Sequence, residues 1–513
     1  MVASTYVIGV DIGTTSTKAV LFDTDGRLIS THSIEYPLYS PKPAIAEQDP
    51  DEIFRAVIGT IKHTLLKSGA DPENVLCVSF SSAMHSVIAV DTQGNPLSKC
   101  ITWADNRSAV WTERIRNEMN GHQIYLRTGT PLHPMSPLSK LTWLRHEEPE
   151  LFARTYKFIS IKEYVFHKLF KRYVVDYSIA SATGMFALGT LSWDEEALNV
   201  AGVTPDRLSE PVPTTFRLAG MDEHWAAEMQ LSVSMPFVVG ASDGVLSNLG
   251  VDAIDPGTVA VTIGTSGAIR TVTDRPVTDP KGRTFCYALT ENHWVIGGPV
   301  NNGGMIFRWF RDHFCSEEVE EAARLGKDPY ELLTEIASRV KPGAGGLLFH
   351  PYLAGERAPL WDANARGSFF GLGLHHRKEH MIRSVMEGVI INLFTVYMAL
   401  EELIGRPTKI QATGGFAKSE LWRQMMADIF DQEVHVPISV ESSCLGAAIL
   451  GLYSLGEIDS LHAVSNMVGG SHRHMPNKDN RPVYQELSRM YVRLSRLLTE
   501  EYRHIAEFQK KWL

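Results

Sequence analysis

The apolar runs near the start of this chain are short and alternate with polar turns. Residues 6–10 and 19–22 read as extended segments on either side of Asp11-Ile12-Gly13-Thr14-Thr15-Ser16-Thr17-Lys18. Asp23-Thr24-Asp25-Gly26 turns the chain into a third extended segment over 27–34, so the pattern predicts a β-meander. The period then lengthens to that of a helix, with Ile53, Val57, Ile61 and Leu65 on one face. Asp49 as N-cap, Pro50 at N1 and Glu52 at N3 predict a capping box at its start. Residues 75–80 and 87–90 read as strands flanking the polar insert Ser81-Ser82-Ala83-Met84-His85. Hairpins followed by a helix and a further strand predict a mixed α/β unit.

From about Asn106 to Leu231 the pattern is more helical and irregular, punctuated by Pro131, Pro134, Pro137, Pro211 and Pro213. We read this stretch as an elaboration that supplies substrate contacts. The opening pattern then restarts. A strand over 237–240 runs into Ala241-Ser242-Asp243-Gly244, and a β-branched run over 258–262 ends in Ile263-Gly264-Thr265-Ser266-Gly267 before another extended run over 268–272. A long helix is predicted over 378–403, closed by Gly405, with Met381, Val385, Val389 and Leu393 on an apolar stripe. A strand over 409–412 leads to Thr413-Gly414-Gly415-Phe416 and a helix over 420–430. The last amphipathic stretch, 484–508, is expected to pack on the second half. The repeat is of half-chains, each with a strand, a tight Gly/Thr turn and a strand. Such turns offer backbone N–H groups and hydroxyls to an anion, and a pair of them could grip a polyphosphate from two sides.

At 513 residues, two to four domains are expected. A formal charge of −10 argues against a nucleic-acid partner. The five cysteines are scattered and include no C-x-x-C pair, which predicts a reducing compartment without a disulfide frame or zinc knuckle. The apolar run at 6–10 is too short for a signal peptide, and no window matches a membrane span. A cytoplasmic protein without a membrane partner is the expectation.

Several residues could carry chemistry. Asp11, at the end of a strand beside a Gly/Thr turn, suits a hard cation such as Mg²⁺; a turn aspartate satisfying local N–H groups is the plainer alternative. Thr14, Thr15 and Lys18 would then lie near phosphate oxygens. Asp243 precedes an apolar helix and reads either as a general base or as an N-cap. Gly414-Gly415-Phe416-Ala417-Lys418-Ser419 lies between a strand and a helix, where glycines let the backbone approach a flat ligand. G-x-G-x-x-G, a Walker A loop and the protein-kinase signatures are all missing. Met84-His85 and Trp103-Ala104-Asp105-Asn106-Arg107 close strands where polar tips and an indole face could meet sugar hydroxyls. His472-Arg473-His474 reads as a solvated loop.

Asp11-Ile12-Gly13-Thr14-Thr15-Ser16, Pro137 through Leu144, Gly240-Ala241-Ser242-Asp243-Gly244, Gly264-Thr265-Ser266, Gly355-Glu356-Arg357-Ala358-Pro359 and Ala412-Thr413-Gly414-Gly415 stand in the order seen in the FGGY carbohydrate kinases. The chain resembles that family over essentially its whole length, and within it most resembles the bacterial members that act on gluconate. The resemblance implies two ribonuclease-H-like domains of the actin-like or hexokinase-like type with a central cleft. The expected division is a sugar-binding 1–250 and a nucleotide-binding 251–513. It also implies Asp243 as base and Asp11 as the Mg²⁺ residue, with Met84, His85, Trp103, Asp105, Arg107 and Asp243 around the sugar. Thr14, Thr15, Ser16, Lys18, Gly264 and Thr265 would serve the phosphates of ATP, and Gly303, Gly414, Gly415 and Ser419 the nucleoside. Lys18 stands where some members carry Arg. The expected reaction is transfer of the γ-phosphoryl of MgATP to gluconate. The alternatives are a kinase for a neutral sugar or polyol such as xylulose or glycerol, and a non-catalytic ATP or sugar sensor. A sugar-acid substrate needs a cation, for which Arg107, Lys140, His85 and His133 are candidates. A homodimer is an allowed assembly.

Overall fold

The computed structural model describes residues 5–437 and 441–512, and the chain divides into two compact units. The first gathers Met1–Asp255, Val272–Ile296 and Glu441–Gly469; the second gathers Pro256–Thr271, Gly297–Val440 and Gly470–Leu513.

In the first unit six strands form one sheet, in the order Arg217–Leu218, Phe237–Ser242, Val75–Ser82, Tyr6–Ile12, Ser16–Asp23, Leu28–Glu35. The last three are the expected antiparallel meander. Phe237–Ser242, Val75–Ser82 and Tyr6–Ile12 run parallel to one another. Both faces are covered, so the alternation of side chains along each strand sends neighbours into different cores. Ile8, Val10 and Ile12 pack with Ile53, Val57, Ile61 and Leu65 of the helix Pro50–Ser68. Val7, Val20 and Cys77 pack instead with Leu445, Ala448 and Ile449 of the helix Ser442–Leu455. Asp11 keeps the parity of Val7 and Gly9 and so belongs to this second face.

The start of Pro50–Ser68 forms as half of the expected capping box. Asp49 accepts the N–H groups of Asp51 and Glu52 at 3.0 and 3.3 Å. Glu52 does not reach back, because its carboxylate accepts the Tyr39 hydroxyl at 3.1 and 3.2 Å. The elaboration after the meander is helical, with Ile115, Leu138, Leu141, Met185 and Leu198 closing a core of its own.

In the second unit Thr258–Ile263 pairs antiparallel with Gly267–Thr273 and parallel with Lys409–Thr413, which pairs parallel with Val434–Pro437. Ser471–His474 adds antiparallel to Val434–Pro437, so the run expected to be a solvated loop is an edge strand. The helix Lys378–Ile404 ends at Gly405 as expected and is buried continuously from Ile382 to Leu393. Among the described residues it is the one helix long and apolar enough to cross a membrane, and 78% of its most apolar window is buried in the protein. The C-terminal stretch is two helices, Arg481–Leu497 and Thr499–Trp512, rather than one. Thr499-Glu500-Glu501 gives the second helix its own acidic first turn, which suits an N-terminus.

Candidate active site

Three parallel neighbours in the first sheet end at the same edge, and each ends in a candidate residue. The register pairs Asp11 with Ser81 and Ser81 with Ala241, so Asp11, the Ser81–Ser82 strand end before Met84-His85, and the Ser242–Asp243 junction lie side by side. Carboxyl ends of adjacent parallel strands are where α/β folds place ligands. Asp11 belongs to the strand rather than to the turn, which is confined to Gly13, Thr14 and Thr15. Ser16 and Lys18 accordingly lie on the following strand.

The Asp11 carboxylate accepts the Ser81 hydroxyl at 2.7 Å. Desolvation, then the charge of Asp243, push its pKa up to about 6, against the opposing pull of Ser81 and Lys18. Lys18 is tied to Glu441 by two bonds, 2.9 and 3.1 Å. Asp243 is the first residue of the helix Asp243–Leu249, with Ser242 as the N-cap, and its carboxylate accepts the Gly244 N–H at 2.6 Å. The reading of Asp243 as a simple N-cap therefore fails. The strand reaches this point through Gly240, whose φ of +70° and approach to Phe80 exclude a side chain: a Cβ would lie 1.7 Å from the Phe80 carbonyl oxygen.

The Gly/Thr turn is anchored through its carbonyls. The Tyr36 hydroxyl donates to Gly13 O at 2.7 Å, the Gln48 amide to Thr14 O at 2.5 Å, and the Tyr36 N–H to Thr15 O at 3.1 Å. The Trp103 indole N–H donates to the Thr14 hydroxyl at 2.8 Å, which joins a sugar candidate to a phosphate candidate. Asp105 is buried and accepts the Ala46 N–H and the Arg107 side chain, while Arg107 also reaches Glu47 at 2.5 Å. Arg107 thus faces two carboxylates and stacks over Trp143 at 4.9 Å. Lys140 is likewise committed. It donates to the carbonyls of His85 and Met135 at 2.6 and 2.8 Å, and burial pushes its pKa down to about 7. This clamp explains how His85 keeps a φ of +69°, aided by its Nδ1 contact with Ala182 O at 2.8 Å. Met84 is half-buried against the same core.

The second unit gathers the remaining candidates on adjacent strand ends. Thr262 pairs with Thr413, so the Gly264–Ser266 turn and the Gly414–Ser419 loop leave side by side. Gly303 packs on the backbone of Ser266, and Gly414, at φ +107°, on the backbone of Ile263. The Gly304 and Met305 N–H groups at the start of the helix Gly304–Phe314 donate to the carbonyls of Gly264 and Thr265. Gly415 is exposed and Ser419 N-caps the helix Glu420–Phe430, accepting from Trp422. Buried Glu356 organises the Asn301-Asn302 turn by accepting Asn301 N–H at 2.6 Å and the amides of Asn302 and Asn392 at 2.9 and 2.6 Å. Sequence reading missed Ser81, Tyr36, Gln48 and Glu441. Their partners are distant in the chain, and only the alternation that puts Ser81 level with Asp11 hinted at one of them.

The first unit thus places the Gly/Thr turn and two carboxylates at one set of strand ends, with the Trp103 indole bonded to the turn. Among the described residues no group of three or more His, Cys, Asp or Glu is arranged to hold a metal alone. The model of the FGGY family of carbohydrate kinases matches residues 6–250 with its N-terminal domain and 259–455 with its C-terminal domain. A gluconokinase of Bacillus subtilis (strain 168) is 59% identical over 99% of both chains. A xylulose kinase of Staphylococcus epidermidis is 29% identical over 94% of this chain and 95% of its own. The crystal structure of a gluconate kinase from Lactobacillus acidophilus superposes with a TM-score of 0.93 at 37% identity, covering 98% of this chain and all of that one. With both family domains matched in order and the two mixed sheets in place, the chain belongs to the FGGY family of carbohydrate kinases.

Proposed function

We propose that this enzyme is a gluconokinase, transferring the γ-phosphoryl group of ATP to the primary hydroxyl of D-gluconate to give 6-phospho-D-gluconate and ADP. The observation that carries the chemistry is the placing of Asp11 and Asp243 at one strand edge, close enough for each charge to oppose the other. The identity of 59% to a gluconokinase, against 29% to a xylulose kinase, supports a sugar acid over a neutral sugar. FGGY kinases use ATP.

Asp243 orients the attacking hydroxyl and takes its proton as the oxygen bonds to phosphorus and the bridging bond to ADP breaks. Such a reaction needs positioning and charge stabilisation more than covalent help. Asp11 fits a divalent cation, because burial and the charge of Asp243 leave its carboxylate short of compensating charge while Lys18, which attracts it, is engaged by Glu441. Mg²⁺ held by Asp11 and the phosphates would neutralise charge on the transferring group. Thr14, Thr15, Ser16, Gly264 and Thr265 serve the phosphates, and Gly303, Gly414, Gly415 and Ser419 the nucleoside. Met84, His85 and Trp103 meet the sugar, while Asp105 and Arg107 frame that pocket.

ADP release measured over gluconate, xylulose, glycerol and other sugars and sugar acids tests this. Gluconate is expected to give the highest kcat/KM, with 6-phosphogluconate identified by mass. A higher value for xylulose or glycerol would overturn the assignment.

A further inference from the structure

One residue behind Asp243 lies a buried ion pair that phosphoryl transfer leaves unexplained. Lys162, at the start of the helix Ile161–Phe170, places Nζ 2.7 Å from Asp176 Oδ2, and both side chains are 1% exposed. The same ammonium donates to the carbonyl of Ala241 at 3.1 Å. Asp176 caps the short helix Tyr177–Ser181 by accepting the Ile179 N–H at 3.0 Å. From that helix Ser178 Oγ accepts the Ser242 N–H at 3.1 Å and donates to Ser242 Oγ at 3.0 Å. The Ala241 carbonyl and the Ser242 N–H are the two ends of a single peptide group. That group is therefore gripped from one end by Lys162 and from the other by Ser178.

The grip falls where the sheet itself is irregular. Pairing of Phe237–Ser242 with Val75–Ser82 shifts between Val238 and Ala241, at the positive φ of Gly240. A bulge of this kind re-aims the chain and interrupts the ladder, which resumes at Ala241 opposite Ser81, where Lys162 and Ser178 add a side-chain hold on the peptide. A buried ion pair is a poor way to gain stability alone, because well-packed apolar residues do as well or better. Its value here lies in the direction it imposes. Lys162 also attracts the Asp243 carboxylate.

We propose that Lys162, Asp176 and Ser178 are positioning residues for Asp243, fixing the Ala241–Ser242 peptide so that the carboxylate is presented in one orientation. This rests on the reading of Asp243 as the base. The test measures kcat, KM for ATP and thermal unfolding of the full chain for Lys162→Met/Asp176→Asn, for Ser178→Ala, and for each combined with Asp243→Asn. Replacing both charges together avoids leaving either one buried alone. The pair variant is expected to unfold near the parent temperature and to lose about tenfold or more in kcat with KM for ATP little changed. In the Asp243→Asn background it is expected to lose nothing further, since residues that act as one unit are not additive. Parental kcat, or a loss that multiplies with that of Asp243→Asn, would overturn the proposal. Should the pair variant not fold, Ser178→Ala decides by the same comparison. Asp243→Asn alone separates the two readings. If it turns over normally the base assignment falls and this proposal with it, whereas an inactive Asp243→Asn beside a fully active pair variant removes only the positioning role.

Discussion

Replacing Asp11 with Asn should stabilise the ligand-free protein while damaging its response to MgATP. In the folded chain the Asp11 carboxyl is raised from 3.8 to about 6, by desolvation first and by Asp243 second. Between these two values the folded state binds more protons than the unfolded one. Stability from this group therefore falls as pH rises through the window, and the whole penalty is present above pH 6. A displacement of that size corresponds to at most about 3 kcal/mol. Asp11 keeps partial solvent contact, so solvent screening reduces this to about 1–2 kcal/mol. Asn can still accept the Ser81 hydroxyl, so the substitution removes the charge and little else. Thermal unfolding should show Asp11→Asn melting about 1–3 °C above the parent at pH 7.5, the gap closing as pH approaches 4. In the same assay the rise in melting temperature produced by MgATP should shrink in the variant, because a ligand stabilises only as far as it binds. A variant no more stable than the parent at pH 7.5, or a gap that persists on acidification, would refute the electrostatic argument.

Lys140→Met removes the ammonium that holds the carbonyls of His85 and Met135. KM for gluconate is expected to rise about tenfold with KM for ATP unchanged, as steady-state kinetics will report. Arg383→Met strands Glu387, which is 1% exposed and otherwise paired with that guanidinium at 2.7 Å. A loss of about 3–5 kcal/mol is expected in denaturant unfolding, largely recovered when Glu387→Leu is added. Gly240→Ala forces a Cβ to within 1.7 Å of the Phe80 carbonyl at a φ of +70°. It should lower the yield of folded protein and cost more than about 3 kcal/mol in the same assay.

Much of the local structure could be read directly. The meander, the cap at Asp49, the stop at Gly405 and the two Gly/Thr turns each depend on neighbours within a few residues, where backbone preference and hydrophobic period act. The errors lie where a distant partner intervened. Glu52 was drawn from its capping box by Tyr39, and His472-Arg473-His474 became a strand because Val434–Pro437 had an open edge. Lys140 read as an available cation, yet its charge is spent on two carbonyls, one of them 55 residues away.

By itself the sequence determined the helices and strands that depend on local pattern, that the chain carries the FGGY motifs in order, and that two carboxylates stand at strand ends. Only the tertiary structure decided that Asp11, Ser81 and Asp243 share one edge, because strand order and register are set by packing between segments far apart in the chain. It likewise decided that Glu441 holds Lys18 across 423 residues, and that Gly9 accepts the backbone of Cys444 against it. Local preference is a property of neighbouring residues, whereas these pairings exist only once apolar faces have chosen each other and brought their polar ends along.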